Sequence, residues 1–218
     1  MMQAVYSRKL YDTFRPVLDA TLKIKWNTNW KRSLIFYNVK GVGTIDIRDM
    51  FSLDGEEENK ELQGIANTFI DKYYDDRVFK ILSWVKNWIT YKGDFEIWKR
   101  AEYWQTPYET YKKRTGDCED GALLIYKLTV LSGIPEWRIK VCAGDVLEPN
   151  GKGTVGHAYV IYLSELFNEW FVLDWCYYYS KSSARYLKIP QRECPEYKVI
   201  WWTFNHIYSW AQNDTLIK

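Results

Sequence analysis

The spacing of apolar residues along this 218-residue chain changes once, at Gly133-Ile134-Pro135, and that change limits the fold more than any other feature. Ahead of it the pattern is helical. Val78, Ile81, Leu82, Val85, Trp88 and Ile89 recur at helical spacing within 77–91, Gly93 ends that run, and 60–73 also reads as a helix. Thr106-Pro107-Tyr108-Glu109 opens another, with Thr106 as N-cap, Pro107 in the first turn and Glu109 closing a capping box. A last start lies at 115–117, from which Cys118, Ala122, Ile125 and Thr129 share one stripe beside Leu124, Leu128 and Leu131. Past Pro135 the period is two, over 137–146, 155–163, 169–176 and 198–204, with turn residues at Asn150-Gly151-Lys152-Gly153 and Phe167-Asn168. Helices followed by an antiparallel meander describe an α+β fold, with the helix that begins at Cys118 packed on the sheet.

The first 55 residues read as an extension carrying short strands. Leu22, Ile24 and Trp26 alternate with Lys23 and Lys25, and 33–39 and 44–47 are further strand candidates around Gly41 and Gly43. The acidic run Asp54-Gly55-Glu56-Glu57-Glu58 reads as a solvated loop and divides this extension, 1–55, from a main domain, 56–218. The 30 basic and 28 acidic side chains nearly cancel, so composition lends no support to nucleic-acid binding. No stretch approaches the roughly 20 apolar residues of a membrane span. Residues 1–18 carry no apolar signal-peptide core, which leads us to expect a cytoplasmic protein. The four cysteines form no CxxC pair, which disfavours structural zinc and suits free thiols in a reducing compartment. The 12 Trp, 18 Tyr and 9 Phe suit either a core of large flat side chains or an interaction surface.

The chemistry concentrates in Thr115-Gly116-Asp117-Cys118-Glu119-Asp120-Gly121-Ala122. A cysteine at a helix N-terminus gains thiolate character from the unsatisfied N–H groups and the helix dipole. Downstream stand His157, in Gly156-His157-Ala158-Tyr159-Val160, and Asp174, in Phe171-Val172-Leu173-Asp174-Trp175. In chain order these supply a nucleophile, a base and an orienting carboxylate. Strand alternation groups His157 with Tyr159 and Ile161, on the face expected to meet the Cys118 helix. A carboxylate inside an apolar strand needs a partner, which the imidazole of His157 provides. His206, near the C-terminus, is the weaker base. The backbone N–H of Cys118 is one oxyanion donor; the Trp104 indole and the Gln105 amide rank equally for the second, ahead of Trp84. Asp117, Glu119 and Asp120 oppose a thiolate by like charge. Either the helix dipole and a protonated imidazole outweigh them, or the carboxylates turn outward to cap N–H groups, pair with Lys or Arg, or hold a cation.

The segments Tyr103-Trp104-Gln105-Thr106-Pro107-Tyr108-Glu109-Thr110, Gly116-Asp117-Cys118-Glu119-Asp120-Gly121-Ala122, Gly156-His157-Ala158-Tyr159-Val160 and Trp170-Phe171-Val172-Leu173-Asp174 resemble the transglutaminase-like cysteine peptidase superfamily, most of all its bacterial proteinases. The resemblance covers about 77–178 and implies a papain-like core, with Cys118 as nucleophile, His157 as base and Asp174 as orienter. It implies a protein or peptide substrate, attacked through a thioester that water or an amine resolves. Hydrolysis of a peptide bond is the expected outcome, with deamidation or crosslinking as alternatives. Some bacterial members bind calcium through acidic residues flanking the cysteine, a role that would fall here to Asp117 and Glu119; otherwise no cofactor is implied. This chain departs from the family where many members follow the aspartate with proline, since Trp175 and Cys176 stand there. Its Lys-, Asn-, Tyr- and Ile-rich usage would suit a bacteriophage protein. A non-enzymatic alternative is therefore a binding or virion assembly module built on the same fold.

Overall fold

In the computed structural model the described residues are 36–39, 43–177, 191–197, 199–207 and 209–211. The strand read at 21–26 lies outside them. Helix α1 spans Glu56–Asn67, α2 Tyr74–Trp88, α3 Asp94–Trp98, α4 Pro107–Lys113 and α5 Cys118–Leu131. The strands are β1 Phe36–Val39, β2 Gly43–Asp46, β3 Thr90–Tyr91, β4 Thr115–Gly116, β5 Ile139–Leu147, β6 Thr154–Leu163, β7 Trp170–Leu173, β8 Val199–Phe204 and β9 Ser209–Ala211.

Helix α5 has almost no polar face. Every residue from Cys118 to Tyr126 is buried, as are Leu128 and Thr129. A helix apolar on nearly all sides must be enclosed, and here α1, α2 and α4 cover one side while β5 and β6 cover the other. The expected helices form, with shifted ends. Helix α1 starts at Glu56, because Glu56, Glu57 and Glu58 occupy its first turn, where carboxylates meet the positive end of the dipole; they are not a loop. It stops at Asn67, short of Tyr73. Helix α2 ends at Trp88, and Thr90–Tyr91 form a short strand paired in parallel with Thr115–Gly116. The α4 capping box is present: Glu109 N–H donates to Thr106 Oγ1 at 3.2 Å, and Thr106 N–H donates to Glu109 Oε2 at 2.9 Å.

The main sheet runs β7-β6-β5-β8-β9, with each strand antiparallel to its neighbours. The first three strands are the expected meander. The strand read at 198–204 joins beside β5 rather than β7, so the chain crosses back over the sheet, and a bulge at Ala143/Gly144 marks the junction. One sheet face carries Val141, Val160, Tyr162, Leu173, Trp202 and Phe204 into the main core with α5. The other carries Cys142, Tyr159, Ile161 and Val172 into a smaller cluster with Tyr197. Met50 and Phe51, just ahead of Gly55, are buried in the main core, and the Phe51 ring stacks on Tyr126 at 4.1 Å. Among the described residues no helix is long and apolar enough to cross a membrane.

Helix α5 meets the exit of β7 so closely that Gly121 admits no side chain: a Cβ there would lie 2.1 Å from Trp175 Nε1. Replacement of Gly121 by Ala is expected to displace that indole and cost about 1–3 kcal/mol in denaturant-induced unfolding. Gly64, in α1, has nothing within 4 Å of its would-be Cβ. Gly64→Ala is expected to stabilise by about 0.5–1 kcal/mol in the same measurement.

Candidate active site

Cys118 is the first residue of α5 and is 8% exposed. Its sulfur lies 3.0 Å from Glu119 Oε2, in hydrogen-bond contact. Burial, and then the negative charge of Asp117, push it well above the usual thiol range; a hydrogen bond from the backbone of Ala158 acts the other way. That contact brings the sulfur to β6 at the residue after His157.

His157 is 1% exposed and Asp174 fully buried. The imidazole Nε2 and Asp174 Oδ2 are 2.8 Å apart. Asp174 also accepts from the Tyr197 hydroxyl at 2.6 Å and from the backbone N–H groups of Cys176 at 3.0 Å and Tyr177 at 3.1 Å. Burial alone would raise its pKa, but the His157 charge and these hydrogen bonds hold it down at about 2. The Tyr177 ring stacks on the imidazole with centroids 4.2 Å apart. His157 shares its sheet face with Tyr159, Ile161 and Tyr197, opposite the face on which α5 packs. The expectation that it points at the helix is therefore corrected. Cys118 meets this region only because it sits at the very end of α5 and reaches the strand backbone at Ala158. His206 lies elsewhere, 2.8 Å from Glu136 and 3.2 Å from the Tyr126 hydroxyl.

The carboxylates around the cysteine do not turn outward. Asp117 is the N-cap of α5 and Asp120, buried, closes the capping box three residues on: its Oδ1 accepts from Gln105 N–H at 2.8 Å, and its Oδ2 accepts from Gln105 Nε2 at 2.6 Å and Asp117 N–H at 3.2 Å. Gly116 leaves room for it, since a Cβ there would lie 2.7 Å from Asp120 Cβ. Glu119 is buried as well, and burial together with the charges of Cys118 and Asp117 pushes its carboxyl well up. Asp94, on α3, is driven to about 7 by burial and by Asp117, while Tyr103 N–H donates to its Oδ2. Asp94, Asp117 and Asp120 offer oxygens within 4.8 Å of one another, as do Asp94, Glu102 and Glu119. Asp94 Oδ1 and Asp117 Oδ1 are buried with no hydrogen-bond partner among the described residues.

Both side-chain oxyanion candidates are occupied otherwise. The Trp104 indole N–H donates to Glu102 Oε1 at 2.7 Å, and the Gln105 amide donates to Asp120 and, at 3.1 Å, to Thr115 O. Trp84 stacks on Trp88 at 4.9 Å in an aromatic ladder on α2. Sequence reasoning missed Trp175, whose indole donates to Cys118 O at 3.3 Å, and also Tyr177, Tyr197 and Asp94. The substitution of Trp175 for the usual proline was the available signal for the first. The tyrosines, in a chain with 18 of them, gave none.

Residues 60–198 match the family described as Transglutaminase-like domain. No curated protein sequence matches the chain. Among solved structures, Legionella pneumophila LapG treated with EGTA is similar at 18% identity and a TM-score of 0.53, covering 76% of this chain and 83% of its own. Its calcium-bound form gives 19% identity and the same TM-score over 74% and 83%. These likenesses report a shared fold, and the match over 60–198 carries the assignment: the chain belongs to the transglutaminase-like domain family.

Proposed function

We propose that this protein is a cysteine peptidase that hydrolyses a peptide bond through a thioester on Cys118. The observation that carries the reading is the buried His157–Asp174 pair at 2.8 Å, hydrogen-bonded from three further directions and lying beside the residue whose backbone meets the Cys118 sulfur. Asp174 fixes the tautomer and orientation of His157. Cys118 rotates from Glu119 towards the imidazole, which takes the thiol proton as sulfur attacks the carbonyl carbon. The backbone N–H of Cys118 stabilises the oxyanion. The C–N bond then breaks, His157 returns the proton to the leaving amine, and water resolves the thioester to a carboxylate and the free thiol.

The acidic cluster fits a calcium ion. Its donors are all hard oxygens, two of them buried without partners, and calcium takes six to eight such ligands. Asp117 and Glu119 would hold the ion, with Asp94 and Glu102 as neighbours. When bound, the ion supplies the positive charge that makes a thiolate beside these carboxylates affordable. LapG structures described as calcium-bound and EGTA-treated lend this support by likeness of fold.

Alkylation of Cys118 by iodoacetamide, read by mass spectrometry from pH 5 to 9, tests both parts. In EGTA, burial and Asp117 favour the neutral thiol, so labelling is expected to rise only above the pH of an ordinary cysteine. Calcium favours the thiolate and is expected to move the profile to lower pH. His157→Ala is expected to abolish labelling near pH 6 in calcium. An unchanged profile in calcium would remove the cation from the reading, and an unchanged profile in His157→Ala would remove the base.

Asp174→Ala leaves the imidazole without its partner and is expected to cost about 3–5 kcal/mol at neutral pH. The Asp174 carboxyl sits below its unfolded-state pKa, so the stability linked to it is full above pH 4 and lost as pH falls towards 2. Denaturant unfolding between pH 2 and 5 is expected to show a shallower slope in the variant than in wild type.

A further inference from the structure

Cys176 takes no part in the peptidase chemistry, yet its sulfur lies 3.5 Å from Asp174 Oδ1, and one donor atom each of His157, Asp174 and Cys176 fall within 4.8 Å of one another. We propose that these three residues form a second metal site, selective for zinc-class ions, whose occupation blocks the enzyme.

The donor set differs in kind from the acidic cluster. A thiolate, an imidazole and a carboxylate are the ligands of zinc, and calcium takes oxygen alone. Donors on one tetrahedral zinc stand about 3.3–3.8 Å apart, given its bond lengths, so the sulfur closes by at most roughly an ångström while the His157–Asp174 contact of 2.8 Å opens to admit the ion. Such a shift is available at Cys176, which is only half-buried and lies past the end of β7, while His157 sits within β6 and Asp174, the first residue beyond β7, is held by the Tyr197 hydroxyl and two backbone N–H groups. The Tyr177 ring over the imidazole supplies the apolar shell that keeps water from a metal site. Burial and the Asp174 charge hold the Cys176 thiol well up, so zinc must displace a proton, which leaves to solvent as the zinc–sulfur bond forms.

The inhibitory consequence rests on the role given to His157 above: zinc on Nε2 displaces the proton shared with Asp174, which passes to the other ring nitrogen or to solvent, and so removes the hydrogen bond that sets the tautomer of the base. The binding itself does not rest on that role. Occupants of opposite hardness would then act in opposite directions on neighbouring sites, calcium promoting thiolate formation and zinc removing the base.

The test uses the full chain in saturating calcium, titrated with Co²⁺ as a spectroscopic stand-in for zinc. The expected result is a thiolate-to-cobalt charge-transfer band in wild type that added zinc bleaches. In Cys176→Ser and Cys176→Ala the band is expected to disappear, and zinc affinity, measured against a chromophoric chelator, to fall at least tenfold. A band that survives both substitutions, or zinc affinity equal in all three proteins, would overturn the proposal and leave Cys176 as a hydrogen-bond donor to Asp174. A measurement on wild type needs no variant to fold: zinc is expected to protect Cys176 from iodoacetamide, and absence of protection also overturns the site. Slower alkylation of Cys118 with zinc bound is the separate readout of inhibition. Its absence beside an intact cobalt band would count against His157 as base while leaving the metal site standing.

Discussion

The arrangement around Cys118 depends on one buried carboxylate. Asp120 accepts from the backbone and side chain of Gln105 and from the backbone of Asp117, so a single group ties the segment before α4 to the first turn of α5. Its burial is tolerable only because these N–H groups replace the lost water. Removing any of them leaves a buried acceptor short of a donor, at a position that sets the direction of the helix beginning at Cys118. Gly116 belongs to the same device, since any side chain there would occupy the space Asp120 needs.

Electrostatically the start of α5 gathers more carboxyl groups than its dipole can hold ionised. A helix N-terminus favours negative charge, but five carboxyl groups, from Asp94, Glu102, Asp117, Glu119 and Asp120, share the region, and several are held well above their ordinary pKa by burial and by one another. At β7 the logic is reversed. Asp174 is as deeply buried, yet the hydrogen bonds from Tyr197, Cys176 and Tyr177 and the pairing with His157 keep it ionised. Two clusters of carboxylates therefore answer burial in opposite ways, one by rising in pKa and one by gathering donors.

The sequence made some of this readable and hid the rest for physical reasons. The boundary at Gly133 and the α4 capping box were local features, and local chemistry decides them. The glycines flanking the Cys118 turn stand where the side chains of Asp120 and Trp175 approach closely, a pairing that no linear pattern reveals. The face of His157 was misread because alternation assigns a side to a residue, and Cys118 reaches the strand at its backbone from beyond the helix edge. The place of β8 beside β5 could not be foreseen, because strand order is set by a crossover and not by period. The engagements of Trp104 and Gln105 were hidden for a related reason: they are polar groups in a buried place, and their donors meet neighbouring carboxylates, Glu102 and Asp120.

Trp175 follows Asp174 directly and holds the carbonyl of Cys118 through its indole. The carboxylate and the cysteine thus hang from two adjacent residues of one strand exit. A displacement of that exit would carry both along, so thermal motion there changes the position of the site within the molecule more readily than its internal spacing. The exit of β7 is here held by a side chain that clamps it to the first turn of α5.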